Sequence, residues 1–454
     1  MRSSSKFPDF STSRLLDFFT QPAIKLYLHP RIVAIFFLGF SSGLPLALTA
    51  STLAVWLTEA GVSKSAIGLF AVAATPYALK FLWSPLMDGM PFPFLSRLLG
   101  RRRGWLIATQ LALVGAIMLL GLADPSVNPW LTAMMALMVA IFSASQDIVI
   151  DAYRVEILKP EQQGAGAAAV VLGYRIGMIA SSAGALFLAS HVSWIATYWI
   201  MAALVSIGII TVLLTPEPEI AVSGQQSAAN QENNTSRQPL TAINWLRQHV
   251  AAPFADFMRR PHWLAILLFI LLYKLGDAFM GVMTNPFLID IGFSKEQIAT
   301  VVKLYGVIAT IAGSFIGGVI VFRLGTMRSL WICGIAHMLT NLMFVWLAKT
   351  GADTGLLALS ITLENISGGM GTAAFVAFMS GLITDTRFTA TQYALLSSFA
   401  SFGRTCLSTP AGWFAGRLGW PDFFLLATAL ALPGLLILWL LTRRLTYQPV
   451  SPDV

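Results

Sequence analysis

Residues 143–153 read Ser143-Ala144-Ser145-Gln146-Asp147-Ile148-Val149-Ile150-Asp151-Ala152-Tyr153 and close an apolar run that begins near Trp130. At 3.6 residues per turn, Asp147 and Asp151 stand one above the other with Gln146 beside them, so one helical face carries an acidic stripe. The opposite face stays apolar. In a helix that spans a bilayer, Asp147 lies roughly 9 Å inside the end, where a carboxylate is costly unless it faces a partner or water.

The composition places this helix in a membrane. Of 454 residues, 56% are hydrophobic and only 11% are charged, and the mean hydropathy is +0.72. Soluble globules carry roughly 25% charged residues. Apolar runs of about 20 residues, the length that crosses roughly 30 Å of hydrocarbon, recur near 32–57, 66–87, 104–123, 130–152, 164–189 and 193–214. A polar stretch, Pro216 to Pro261, is rich in Gln, Asn, Ser and Glu and reads as a linker. Six more runs follow near 263–289, 297–322, 329–348, 354–383, 389–416 and 422–442. The expected organisation is an N-terminal segment (1–30), a six-helix bundle (31–214), the linker (215–261), a second six-helix bundle (262–443) and a tail (444–454).

The first thirty residues are polar, and the run after Arg31 is too long for a signal-peptide core, so no cleaved signal is expected. Phe7 to Phe19 reads equally as an interfacial helix or a loose tail. Cys333 and Cys406 have no spacing suited to a metal or a disulfide framework.

The formal charge of +8 raises the question of nucleic acid, which the placement of the basic residues answers. Of 29 Lys and Arg, five lie within runs (Lys80, Arg175, Lys274, Lys303 and Arg404). Four (Lys64, Lys295, Lys349 and Arg417) fall on one side of the membrane, and the remaining twenty share the side of the termini and the linker. Positive charge stays cytoplasmic, so both termini are expected inside and no nucleic-acid partner is expected. The sequons at Asn233 and Asn234 would then see no glycosylation.

The halves repeat. Gly61-Val62-Ser63-Lys64 entering the second run matches Gly292-Phe293-Ser294-Lys295 entering the eighth, and Gly177, Trp194 and Ala203-Leu204 match Gly403, Trp420 and Ala429-Leu430. Parallel six-helix repeats about a cytoplasmic linker resemble the two halves of a major facilitator transporter, an all-α membrane fold of 12 transmembrane helices in two six-helix bundles. Charge placement agrees. Asp147, Asp277 and Glu364 join the five in-span cations, whereas runs 3, 6, 9 and 12 carry no Asp, Glu, Lys or Arg beyond Asp422 at the very edge of run 12 and can face lipid. Arg175, Lys274, Asp277 and Glu364 fall roughly 15–20 Å from a membrane face, near the depth at which such transporters bind substrate. Five cations against three acids favour a substrate with negative charge or many acceptors.

Several motifs in order are similar to the AmpG muropeptide permeases: residues 143–153; Lys80 to Asp88 with Arg101 to Trp105; Gly164 to Gly177 (GAGAAAVVLGYRIG); Tyr273 to Phe279 (YKLGDAF); Glu364 to Phe378 (ENISGGMGTAAFVAF); and Leu38 to Thr49. The resemblance covers nearly all twelve runs. It implies proton-driven uptake, through the inner membrane of a Gram-negative bacterium, of GlcNAc-1,6-anhydro-MurNAc with or without its stem peptide. Such uptake feeds cell-wall recycling and the induction of chromosomal β-lactamase. Longer members carry extra hydrophobic C-terminal segments that this sequence lacks, and a difference in substrate preference is expected.

Candidate residues follow. Asp147, Asp277 and Glu364 are the proton-coupling acids; for Asp147 the competing reading is a static ion pair with Arg175 on the next helix. Gln146, Arg175, Lys274, Asn365, Tyr174 and Tyr273 are the substrate-contact candidates. Lys274 and Asp277, at i and i+3, also read as mutually neutralising. The glycines of runs 5 and 10 read as close-packing positions before ligand space. Lys80, Asp88, Arg101, Arg102 and Asp151 are gate candidates, resembling the loop between the second and third helices that latches one conformation of major facilitators. The five histidines (His29, His191, His249, His262 and His337) show no metal-ligand spacing, and no nucleophile motif or phosphate loop occurs. An enzyme, a cofactor and a metal are therefore not expected. The expected partners are a glycopeptide, protons and the bilayer, with the protein acting as a monomer. The alternatives are a carrier of another large anion, such as a coenzyme A thioester or siderophore, and a non-transporting sensor.

Overall fold

The structure, a computed structural model, describes residues 22–63, 70, 74–218, 247–383 and 385–444. The Phe7 to Phe19 segment, Lys64, the linker interior with Asn233 and Asn234, and the tail from 445 lie outside the described residues, as do the side chains of Lys295 and Lys303. The described chain is helical throughout. The helices are α1 (Pro30–Glu59), α2 (75–89), α3 (Arg101–Leu122), α4 (Pro129–Ile157), α5 (Pro160–Ala189), α6 (Trp194–Leu214), α7 (Trp263–Asp290), α8 (Thr300–Leu324), α9 (Thr326–Thr350), α10 (Thr354–Gly381), α11 (Thr386–Leu418) and α12 (Trp420–Arg443).

Nine of these are individually long and apolar enough to cross a membrane. Helices α10 and α11 satisfy that requirement as a pair meeting at 116°, and the run that includes α2 is described only in part. Two helix starts show local chemistry at work. Asn128 accepts a hydrogen bond from Leu131 N at 3.0 Å with Pro129 at the first helical position, and Asp353 accepts from Leu356 N at 2.8 Å, so orphan amides at both helix starts are satisfied.

The internal repeat is visible in the backbone and in contacts. Gly61 and Gly292 both adopt positive φ, +75° and +102°, a conformation open chiefly to glycine, at matching turns of the two halves. Trp194 donates from Nε1 to Glu59 at 3.0 Å, and its counterpart Trp420 donates to Asp290 at 3.2 Å. Trp56 stacks on Trp194 as Phe287 packs against Trp420. The same sequence spacing therefore yields the same contact twice.

Two helix pairs touch backbone to backbone. A Cβ placed on Gly39, Gly43, Gly173 or Gly177 would collide with the main chain across the α1–α5 contact, and one on Gly313, Gly317 or Gly369 would do so between α8 and α10. Close packing is thus the use of these small residues, as the sequence pattern indicates. Helices α3, α6, α9 and α12 present Leu111, Leu119, Trp199, Ile210, Ile332, Leu339, Leu436 and Leu440 outward, the surface hydrocarbon accepts. Burial alone does not mark the outer helices: the apolar window of α5 is 22% buried against 72% for α1, because α5 also has a polar face, described next.

Candidate transport cavity and gate

The N-terminal half supplies one wall of the interior. Asp147, half-buried on α4, accepts a 2.5 Å hydrogen bond from Ser42 Oγ on α1. Arg175, its partner in the competing static-pair reading, forms no hydrogen bond or ion pair among the described residues; it is exposed on α5, next to the half-buried Tyr174. The static-pair reading is therefore corrected: α4 and α5 are neighbours in sequence, but the α1–α5 glycine contact puts Ser42, not Arg175, against the carboxylate. Gln146 is fully buried, and neither of its amide atoms has a hydrogen-bond partner among the described residues.

The C-terminal half builds the opposite wall around a break in α7. The helix stops at Leu272 and restarts at Leu275, ten residues and roughly 15 Å from its start, close to mid-depth. Lys274 at the break donates to Thr372 Oγ1 at 2.7 Å and to the Gly368 carbonyl at 3.3 Å on α10, and lies 3.4 Å from Asp277 Oδ2. Asp277 Oδ1 lies 3.6 Å from His337 Nε2 on α9. Glu364 accepts from Asn365 Nδ2 at 2.7 Å, and Asn365 in turn accepts from Thr310 Oγ1 at 2.8 Å. Asn365 thus orients Glu364. Arg404, exposed on α11, comes within electrostatic range of Tyr174 across the halves and of Asp277.

Tyr273, expected at the substrate surface, is turned into the core: its hydroxyl donates to the Leu330 carbonyl at 2.9 Å and its ring stacks on Phe375 with centroids 5.7 Å apart. A phenol whose one donor is satisfied inside the bundle gains more from burial than from the cavity.

The end of the bundle that carries the basic loops is closed. Asp88 on α2 accepts from Ala390 N (3.2 Å), Thr391 N (2.7 Å) and Thr391 Oγ1 (2.7 Å) at the start of α11, in the other half. The same carboxylate takes a 2.8 Å bond from Arg102, whose guanidinium is fully buried and also grips Glu156 at 2.6 Å. Arg101 donates to the Asp88 carbonyl at 2.8 Å. Arg154 crosses to Ser380 Oγ at 3.0 Å and covers the Tyr393 ring at 5.2 Å, and Tyr27 donates to the Phe315 carbonyl at 2.9 Å. Lys80 and Asp151 pair at 3.6 Å within the N-terminal half, and Asp151 lies 3.8 Å from Arg154. Outside the membrane, Glu217 accepts from Arg102 N and Arg103 N at the start of α3, and burial raises its carboxyl above the ordinary range.

Residues 35–383 match the Major Facilitator Superfamily. Over 432 residues, covering 95% of this chain and 83% of the relative, the sequence is 42% identical to the anhydromuropeptide permease of Escherichia coli (strain K12). This chain is an AmpG-type permease of the major facilitator superfamily. A Rickettsia felis protein named as an AmpG transporter is 38% identical over 92% of this chain and 98% of its own. Solved structures share the fold at low identity. The human organic anion transporter MFSD10 (TETRAN) gives a TM-score of 0.63 at 15% identity, covering 92% of this chain and 100% of its own. The proton:xylose symporter XylE gives 0.63 at 11%, covering 93% and 95%. The family consists of transporters, and the permease is a multi-pass membrane protein.

Of the sequence candidates in the permease, the structure brings Lys274, Asp277, Glu364 and Asn365 into one cluster, and Asp88, Arg101 and Arg102 into another. It adds residues that sequence reading passed over: Ser42, Arg154, Glu156, Thr391 and His337. His337 shows that α9, expected to face lipid, also reaches the interior. The available signal was a lone imidazole inside an apolar run, a costly placement without a partner.

Proposed function

We propose that this permease imports 1,6-anhydromuropeptides, GlcNAc-1,6-anhydro-MurNAc with or without stem peptide, across the inner membrane of a Gram-negative bacterium, driven by protons. The 42% identity to an anhydromuropeptide permease over 95% of the chain carries the substrate assignment. The charge-lined interior between two related halves supports transport as the activity. The excess of Lys and Arg on the closed end makes that end cytoplasmic, and on this reading the exposed Arg175 and Arg404 are reached from the periplasmic side.

On this reading the carboxylates of the substrate meet Arg175 from one half and Arg404 from the other. Asp147 takes and releases the coupling proton; it has no cation within ion-pair distance among the described residues. Asp277 and Glu364 complete the proton path in the second half, and Tyr174 and Gln146 contact the sugars as the halves rock. Asp88 with Arg101 and Arg102 latches the cytoplasmic side, with Lys80 and Asp151 bracing it. The five-part division of the chain and a monomeric working unit belong to the same proposal. Import of this cargo would supply cell-wall recycling and the signal for β-lactamase induction.

The test is uptake of labelled GlcNAc-1,6-anhydro-MurNAc by proteoliposomes of the pure protein under an inward pH gradient. Accumulation that collapses with a protonophore is expected, and Asp147→Asn should abolish it. Absence of accumulation by the wild type, or equal uptake of a coenzyme A thioester in competition, would overturn the substrate assignment.

A further inference from the structure

We propose that His337 is a proton-carrying residue of the C-terminal half and that its protonation decides which partner Asp277 holds. The inference rests on the proton-driven reading above and names the group that reading lacks.

The surrounding hydrogen bonds are satisfied with hydrogen on Nδ1. His337 Nδ1 lies 3.0 Å from Ser367 Oγ. The Ser367 hydroxyl has one proton, directed to the Glu364 carbonyl at 2.9 Å or to Thr340 Oγ1 at 2.9 Å. Thr340 in turn donates its own proton to the His337 carbonyl at 2.9 Å. With the Ser367 proton so directed, Ser367 is the acceptor and Nδ1 carries hydrogen, the tautomer we assign. That leaves Nε2 as the basic nitrogen. It is buried with no hydrogen-bond partner among the described residues and stands 3.6 Å from Asp277 Oδ1, a lone pair facing a carboxylate. A proton on Nε2 turns that opposition into a charge-assisted bond, and Asp277 then divides its charge between His337 and Lys274, 3.4 Å away on its other oxygen.

Space and charge agree. Gly368 leaves room for the ring, since a Cβ there would lie 3.2 Å from His337 Cε1. A cavity of about 20 Å³ lined by Lys274, Asp277, His337 and Gly371 holds about one water, enough to hand over a proton. The groups facing the imidazole are Tyr273, Lys274 and Asp277 from α7, Glu364 from α10 and Cys333 from α9, with Arg404 of α11 in range of Asp277; among the described residues α12 contributes only Ala431 and Leu435. With Arg404 outside ion-pair distance and left out, the Lys274 ammonium faces the carboxylates of Asp277 and Glu364, and with both ionised and His337 neutral the cluster is one positive charge short of balance. Ligand atoms of Asp277, His337 and Glu364 lie within 4.8 Å of one another, a span a metal can bridge. The Lys274 ammonium already beside Asp277 weighs more against a divalent cation than against a single proton on His337.

The experiment compares two transport modes of the full protein in proteoliposomes, with labelled GlcNAc-1,6-anhydro-MurNAc as probe. Exchange without a gradient reports binding and rocking; accumulation under a pH gradient reports coupling. For His337→Gln, exchange is expected within about threefold of wild type while accumulation falls more than tenfold. Ser367→Ala, which frees the tautomer, should move the midpoint of the pH–accumulation curve and leave exchange intact. Wild-type accumulation and pH profile in both variants would overturn the proposal, as would parallel loss of exchange and accumulation, which marks a structural or substrate-contact role. A sodium gradient driving wild-type accumulation at uniform pH would also overturn it. If wild-type protein neither exchanges nor accumulates the probe, the importer reading itself fails.

Discussion

Replacing Asp88 with Asn should unlatch the basic end. The carboxylate accepts three bonds from the other half, one each from Ala390 N and Thr391 N and a third from the Thr391 hydroxyl, at 2.7–3.2 Å. An amide of the same shape keeps one acceptor oxygen and gives up the charge. Bonds to a charged group contribute about 1.5–3 kcal/mol against about 0.5–1.5 for neutral ones, and an anion at a helix start adds about 0.3–1 kcal/mol. Losing one bond and the charge assistance of the others therefore removes about 2–4 kcal/mol from the closed gate, a shift of roughly 30- to 700-fold in the closed-to-open ratio. Arg102 keeps Glu156 at 2.6 Å, so α3 stays anchored and the change acts on the gate rather than on folding. Spin labels at Val127→Cys and Ala352→Cys, exposed turns of the two halves at the opposite end, report the result, with the exposed Cys406 replaced by Ser. As the basic end opens, this pair should draw together. An unchanged distance distribution in Asp88→Asn would refute the assignment of Asp88 as the latch.

Two other outcomes follow from the geometry. Arg404→Gln and Arg175→Gln should each raise the KM for transport about tenfold or more, the loss of one charge-assisted bond, and should do so more for cargo bearing stem-peptide carboxylates than for the bare disaccharide; equal effects on both would argue that neither guanidinium meets the peptide. In the connection before α11, bonds from the Arg387 side chain hold the Asp385 carboxyl below its ordinary range. Its stabilisation is complete above the ordinary carboxylate range and fades as pH falls through the depressed value, so the protection of amides in residues 385–389, taken against the intrinsic exchange rate at each pH, should fall with acid in the wild type and be indifferent to it in Asp385→Asn.

The extent to which the site could be read varies with the kind of residue. Asp147 and Lys274 stood out because charge inside an apolar run is improbable without a role, and that is a one-dimensional signal. Their partners did not. The bond from Ser42 to Asp147 joins residues 105 apart, and an ordinary serine in a Gly/Ser-rich helix gives no hint of it. The gate was half legible: Asp88 and Arg102 lie 14 apart and were paired from the resemblance, whereas Thr391 is 303 residues from Asp88. Tyr273 went astray because an aromatic at mid-depth reads the same whether it lines a cavity or stacks on Phe375.

Sequence by itself determined the membrane class, the positions of the apolar runs, the repeat and the depth of each buried charge. All of these depend on hydrophobic length and local spacing along one chain, which the 1.5 Å rise of a helix converts directly into position. Tertiary structure alone decided which charges share a neighbour, which end is shut, and that a histidine on an outer helix reaches the interior. Those facts depend on how helices rotate and pack, set here by backbone-to-backbone contacts at Gly43, Gly173 and Gly313, and a rotation of one residue, 100° on a helix, exchanges a lipid-facing side chain for a buried one.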